Sequence, residues 1–228
     1  MTIRSRAGPL DVVDMTDRAG QRSPLAMVVL ALLEEAPMHP YRMHELIQER
    51  GKSSVVNVAQ RNSVYQTISR LVRAGLVEID STSREEGRPE RVVYRSSQAG
   101  KDALRAWLEG MLSTPATEFP EFPAAVSFMM LLAPREVTKL LSLRREALAD
   151  KLEAASRARG AALAMGLPRL FLLEDEYREA MLRAELGWLD RTLDELRTGT
   201  LTWSRAWIRK VAAEAERAMG EKPTKRRR

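Results

Sequence analysis

The sequence predicts a mainly α protein, a winged helix-turn-helix followed by an antiparallel pair of long helices. Three observations carry this expectation. Three helix-period segments, a short apolar hairpin and a fourth helical segment follow one another between residues 24 and 112. Two much longer helical stripes come after them, separated by Gly166-Leu167-Pro168. The composition, 44% apolar and 30% charged, suits a chain that buries a core.

Each element has a local reason. Residues 1–22 carry no sustained periodicity and read as a flexible arm. Ser23-Pro24 opens the first helix, a cap residue followed by proline at the first helical position. Leu25, Val28, Val29, Leu32 and Leu33 share one face, and Ala36-Pro37 stops the helix. The second runs from Pro40 to Arg50-Gly51 and buries Met43, Leu46 and Ile47. The third spans about Ser63 to Ala74, with Val64, Ile68, Leu71 and Val72 as its stripe and Gly75 as its end. Leu76 to Ile79 and Arg91 to Arg95 form a hairpin whose polar tip carries Gly87 and Pro89. A fourth helix covers Gln98 to Met111.

Residues 113–123 hold three prolines and read as a linker between a domain at 23–112 and a helical region at 124–219. There, Pro123 to Leu132 reads as one short helix. Pro134 opens a long helix with Val137, Leu141, Leu148, Leu152 and Ala155 on one side. Leu170, Leu173, Tyr177, Met181, Ala184 and Trp188 give the next an almost heptad seam, closed by Gly199. A last amphipathic helix runs from Trp203 towards Met219, and 220–228 is a basic tail. A helical pair with this much apolar surface finds a partner subunit. The expected dimer contacts are Val137, Leu141, Leu148, Leu152, Leu173, Tyr177, Met181 and Trp188.

The sequence also excludes. It contains no cysteine, hence no disulfide scaffold and no cysteine-ligated zinc. His39 and His44 are wrongly spaced for two ligands on one helical face, and read as a turn residue and a surface residue. No glycine-rich phosphate loop or nucleophile elbow occurs, so neither an enzyme nor a cofactor is expected. The longest apolar run, Leu25 to Leu33, is too short to span a bilayer and is followed at once by Glu34 and Glu35, which points to a buried helix in a cytoplasmic protein. The net charge of +6 is uneven: residues 1–200 carry 28 basic and 28 acidic side chains, residues 201–228 nine and three.

The third helix is the informative element. Its apolar stripe leaves Asn62, Ser63, Gln66, Ser69, Arg70 and Arg73 on the other face. Arginine can fork to guanine, and Asn or Gln can pair with adenine. From Arg50 to Val77 there are five basic residues and no acidic one. An ordinary solvated face is the bland alternative; the hairpin and closing helix directly behind favour double-stranded DNA. Arg84, Arg88 and Arg91, diluted by Glu85, Glu86 and Glu90, are the wing's candidates for a flanking groove or phosphate. A helical adaptor, making protein contacts through both regions, is the alternative from another class.

Across residues 24–112 the chain resembles PadR regulators. The resemblance rests on Leu25 to Ala36, Met38-His39-Pro40-Tyr41-Arg42-Met43, Ser63 to Leu71, Ala74-Gly75-Leu76-Val77, Gly87 to Arg95 and Ala99-Gly100. It departs from the pattern at Pro40, where many members have glycine, and at Glu90, where a basic residue is common. The resemblance implies a cytoplasmic homodimer, usually a repressor, often answering a small hydrophobic effector. Some of the tryptophans, Trp107, Trp188, Trp203 and Trp207, could line the effector's cavity instead of the core. The resemblance also places Tyr65 at the DNA-facing edge of the third helix, which the wheel puts on the flank. The full set of expected DNA contacts is Arg61, Asn62, Ser63, Tyr65, Gln66, Thr67, Ser69, Arg70, Arg73, Arg84, Arg88 and Arg91, on an inverted-repeat operator.

Overall fold

The computed structural model describes residues 22–58, 62–83 and 91–220. The chain divides into two compact units, one up to Thr117 and the other from Glu118.

In the first unit, α1 (Pro24–Glu35), α2 (Pro40–Glu49) and α3 (Asn62–Arg73) precede an antiparallel hairpin of β1 (Val77–Ser83) and β2 (Arg91–Ser96), and α4 (Gln98–Ser113) closes it. Ser23 caps α1, its Oγ accepting from the Ala26 amide at 3.1 Å, with proline next in line. His39 caps α2 through Nδ1, which accepts from the Tyr41 amide at 3.1 Å. His44 is buried, not a surface residue as its polarity suggests, with Nε2 3.5 Å from Gln48 Nε2. One core gathers Val29, Leu30, Met43, Ile47, Val64, Ile68, Leu71, Leu76 and Trp107.

The hairpin is anchored at its base. Tyr94 exchanges two backbone hydrogen bonds with Met38, of 3.0 and 3.1 Å, so the segment before α2 adds a third short strand-like contact. Pairing runs from Val77↔Ser96 to Ser83↔Arg91, with an irregularity between Ile79 and Ser81. Ser97 caps α4 by accepting from the Gly100 amide at 3.0 Å and donates to the Gly75 carbonyl at 2.7 Å. It thereby ties the start of α4 to the end of α3. Gly100 is obligatory for a steric reason: a Cβ there would lie 2.1 Å from the Leu76 carbonyl oxygen.

The second unit is a helical hairpin of α6 (Pro134–Ala164) and α7 (Leu173–Thr198), preceded by α5 (Glu121–Ser127) and followed by α8 (Arg205–Gly220). The single helix expected over Pro123 to Leu132 is two pieces: α5 starts at Glu121 with Pro123 in its first turn, where a missing N–H costs nothing, and Met129–Leu131 is a 3-10 turn. Gly166, at φ +81°, reverses the chain after α6 while the Leu167 amide donates to the Ala162 carbonyl at 3.1 Å. Val137, Leu141 and Leu148 of α6 pack on Leu189, Leu193 and Leu196 of α7. Charges lock the same interface. Arg144 pairs with Glu185 at 2.6 Å, and the fully buried Glu179 accepts from both Arg159 (2.7 and 3.1 Å) and Arg183 (2.7 Å). Those hydrogen bonds, Arg159's first, hold the Glu179 carboxyl at about 2 against the opposing effect of burial.

This packing corrects the expected dimer contacts. Val137, Leu141 and Leu148 are consumed inside the chain's own hairpin, and half-buried Trp188 packs edge-on against Phe122 at 5.7 Å. Leu152 is half-buried, whereas Leu173, Tyr177 and Met181 are exposed. No described helix is long and apolar enough to cross a membrane.

Candidate nucleic-acid interface

The polar face of α3 is set by what its other face buries. Val64, Thr67, Ile68 and Leu71 are inside. At about 100° per residue, Asn62, Gln66, Ser69 and Arg73 then fall within roughly 60° of one another on the far side, spread over about 16 Å of helix. All four are exposed. Arg73 is the cation of the line, in the last turn of the helix, and its Nε donates to the Ser69 carbonyl at 3.3 Å. Tyr65 flanks this line and is 44% exposed, so its ring is a surface group rather than core packing.

Three expected contacts, Thr67, Arg70 and Ser63, do not join the line. Thr67 is buried among the apolar residues of its own helix face, because it lies one turn from both Val64 and Leu71; it is a packing residue. Arg70 is half-buried and turned towards α1. Its Nη2 donates to Ser23 Oγ at 3.1 Å, and its Nε is buried with no partner among the described residues. Ser63 is half-buried on the same flank. Arg61, Arg84 and Arg88 lie outside the described residues, and Arg91 is placed by its backbone alone, opposite Ser83 at the start of β2. Arg95, one strand residue from Tyr94, is neutralised by Glu78 at 3.0 Å and Asp80 at 3.6 Å.

Sequence reasoning placed Ser23 as a cap without its bond to Arg70, and passed over Ser97. Both were legible as helix caps; neither carried a sign of its second bond, to Arg70 or to Gly75. Among the described residues, no three His, Cys, Asp or Glu side chains are grouped to hold a metal ion.

Three helices, a wing anchored at its base and a closing helix, with an exposed polar line on the third helix, form a winged helix-turn-helix, a fold found in many DNA-binding proteins. Residues 29–106 match the model of the transcriptional regulator PadR-like family. Over those residues the chain is similar to the PadR-like transcriptional regulators. Solved structures share the fold at low identity. PadR of Bacillus subtilis in complex with operator DNA is 19% identical, with TM-score 0.62 over 75% of this chain and 98% of that one. The Vibrio cholerae virulence activator AphA is 21% identical, with TM-score 0.60 over 76% and 98%. The B. subtilis PadR complex with p-coumaric acid is 17% identical, with TM-score 0.58 over 77% and 98%. A search of curated proteins finds no match.

Proposed function

We propose that the chain binds a specific double-stranded DNA site as a homodimer in the cytoplasm and represses transcription from it. The observation that carries the reading is the exposed line Asn62, Gln66, Ser69 and Arg73 on a helix whose opposite face is fixed in the core. Such a helix enters a major groove with amide, hydroxyl and guanidinium groups at base edges. Two copies related by a two-fold axis read an inverted repeat with half-site centres about one helical turn, 34 Å, apart. The B. subtilis relative was solved on operator DNA, which supports the same partner here.

A small hydrophobic effector belongs to the proposal. The second unit contains a cavity of about 320 Å³ whose walls include Phe122, Phe128, Met129, Leu132 and Leu140, with Arg144 stacked 3.6 Å over the Phe122 ring. Trp188 meets Phe122 edge-to-face, while Trp107 is core, Trp203 donates to the Leu132 carbonyl and Trp207 is exposed. A neutral or weakly acidic aromatic molecule fits that lining. It releases DNA only if it binds the DNA-free form more tightly.

Footprinting of the chain's own promoter region tests the proposal. The expected result is protection of an inverted repeat, lost in Gln66→Ala and relieved by an aromatic acid that quenches tryptophan fluorescence. Uniform, salt-sensitive retardation of every duplex would overturn sequence-specific binding.

A further inference from the structure

We propose that the apolar face of α8 lies on the surface of an anionic phospholipid bilayer. This partner is separate from the DNA proposed above and does not depend on it.

The helix is tethered at its root. Leu201 and Trp203, just ahead of it, pack against the core of the second unit, and Trp203 Nε1 donates to the Leu132 carbonyl at 2.9 Å. Among the described residues, none of α8 itself joins that core. Yet α8 has a face suited to burial. At about 100° per residue, Trp207, Val211, Ala215, Ile208 and Ala212 fill roughly 140° of the wheel with no charge among them. Ile208 is half-buried; the other four are exposed, Trp207 by 55% and Val211 by 41%. Basic residues line both edges of this face, Arg205 and Arg209 beside Ala212, Lys210 and Arg217 on the side of Trp207. All four are exposed, and among the described residues only Lys210 has an acidic neighbour in reach, Glu214 at 3.9 Å.

Charge and hydrocarbon together select the partner. Residues 201–228 carry nine basic and three acidic side chains, whereas residues 1–200 carry 28 of each. The rest of the chain thus has no surplus acid to draw this segment in, and two such segments brought together would repel. A duplex would satisfy the charge but offers little to an uninterrupted apolar arc. An anionic bilayer supplies both. The apolar face enters the boundary between headgroups and acyl chains, the flanking basic side chains reach up to phosphate, and the Trp207 indole takes the level that tryptophan favours there. The helix has 16 residues. Its length, about 24 Å, falls short of the ~30 Å hydrocarbon core, so it lies along the surface instead of crossing it.

Flotation of the full chain with vesicles of phosphatidylglycerol and phosphatidylcholine, against phosphatidylcholine alone, tests the assignment. Binding is expected to the anionic vesicles only and should fall as salt rises. It should shift tryptophan emission to the blue, a shift that Trp207→Phe largely removes. Val211→Asp and, one turn on, Ala215→Glu should each weaken vesicle binding about tenfold or more. Tm and duplex affinity should stay unchanged, because both residues are exposed and outside the core. No binding to anionic vesicles, or equal binding to both kinds, would overturn the proposal. So would Val211→Asp and Ala215→Glu chains that bind vesicles as the parent does, for then charge alone adsorbs the protein. If the two substitutions instead lower affinity for a random duplex, the face serves nucleic acid; if they split an oligomer in lipid-free sedimentation, it serves a second copy. Either result removes the bilayer as its partner.

Discussion

Arg70 and Gln66 sit four residues apart on one helix, yet they face different tasks. Gln66 is free on the exposed line, whereas Arg70 holds the cap of α1 through Ser23. Gln66→Ala should therefore cost about 1–3 kcal/mol on the specific duplex and little on a scrambled one. Arg70→Ala and Ser23→Ala should lower affinity for both duplexes alike and also lower Tm, the serine change by about 1 kcal/mol of stability. Anisotropy titrations with the two duplexes, beside thermal melts, separate the roles; an Arg70→Ala protein that melts normally and loses only specific binding would return Arg70 to base reading. Glu179 is the second residue with a consequence. Its carboxyl titrates near 2 in the folded hairpin and near 4.5 in a free chain, so the folded state binds fewer protons across that window. Its contribution is whole above pH 4.5 and is lost as pH falls through 2. Glu179→Gln should flatten the fall of urea midpoint over that interval. It should also cost roughly 1.5–3 kcal/mol at neutral pH, because two arginines lose a charged acceptor.

At the scale of elements, two glycines predict opposite outcomes for one substitution. Gly100→Ala drives a Cβ into the Leu76 carbonyl and should destabilise by about 1–3 kcal/mol, loosening α4 from the wing. Gly160 lies within α6 with nothing near a new Cβ, and Gly160→Ala should stabilise by about 0.5–1 kcal/mol. Chemical denaturation of both variants checks the pair. The element boundaries were legible because their signals are local: Ser23-Pro24, Gly75, Gly166 and Gly199 each stop or start a helix by backbone chemistry alone. The polar line on α3 was legible from the period of Val64, Ile68 and Leu71. Thr67 and Arg70 were not, since a wheel assigns direction but not the neighbour that a hydroxyl or guanidinium meets. The long helix shows the same limit more sharply. Periodicity says that Val137, Leu141 and Leu148 are covered, but not whether by α7 or by another chain.

For the molecule as a whole, the core of the first unit, from Ala26 to Trp107, is complete without the second. A fragment of residues 22–117 should fold, sediment as a monomer and lose most operator affinity, since a dimer makes its second half-site contact effectively intramolecular. A fragment that still dimerises would move the interface out of the helical hairpin. Residues 201–228 carry the entire net charge of +6. Removing residues 221–228 should lower the slope of log affinity against log salt equally for operator and random duplex, as phosphate contacts do; an unchanged slope would show that those charges stay off the DNA. The approach of residue 100 to the Leu76 carbonyl reaches further, into which changes the gene can absorb. Every codon change that adds a side chain there strikes backbone, which has no rotamer to yield, so the position is closed to drift, whereas Gly160, with open space around it, is not.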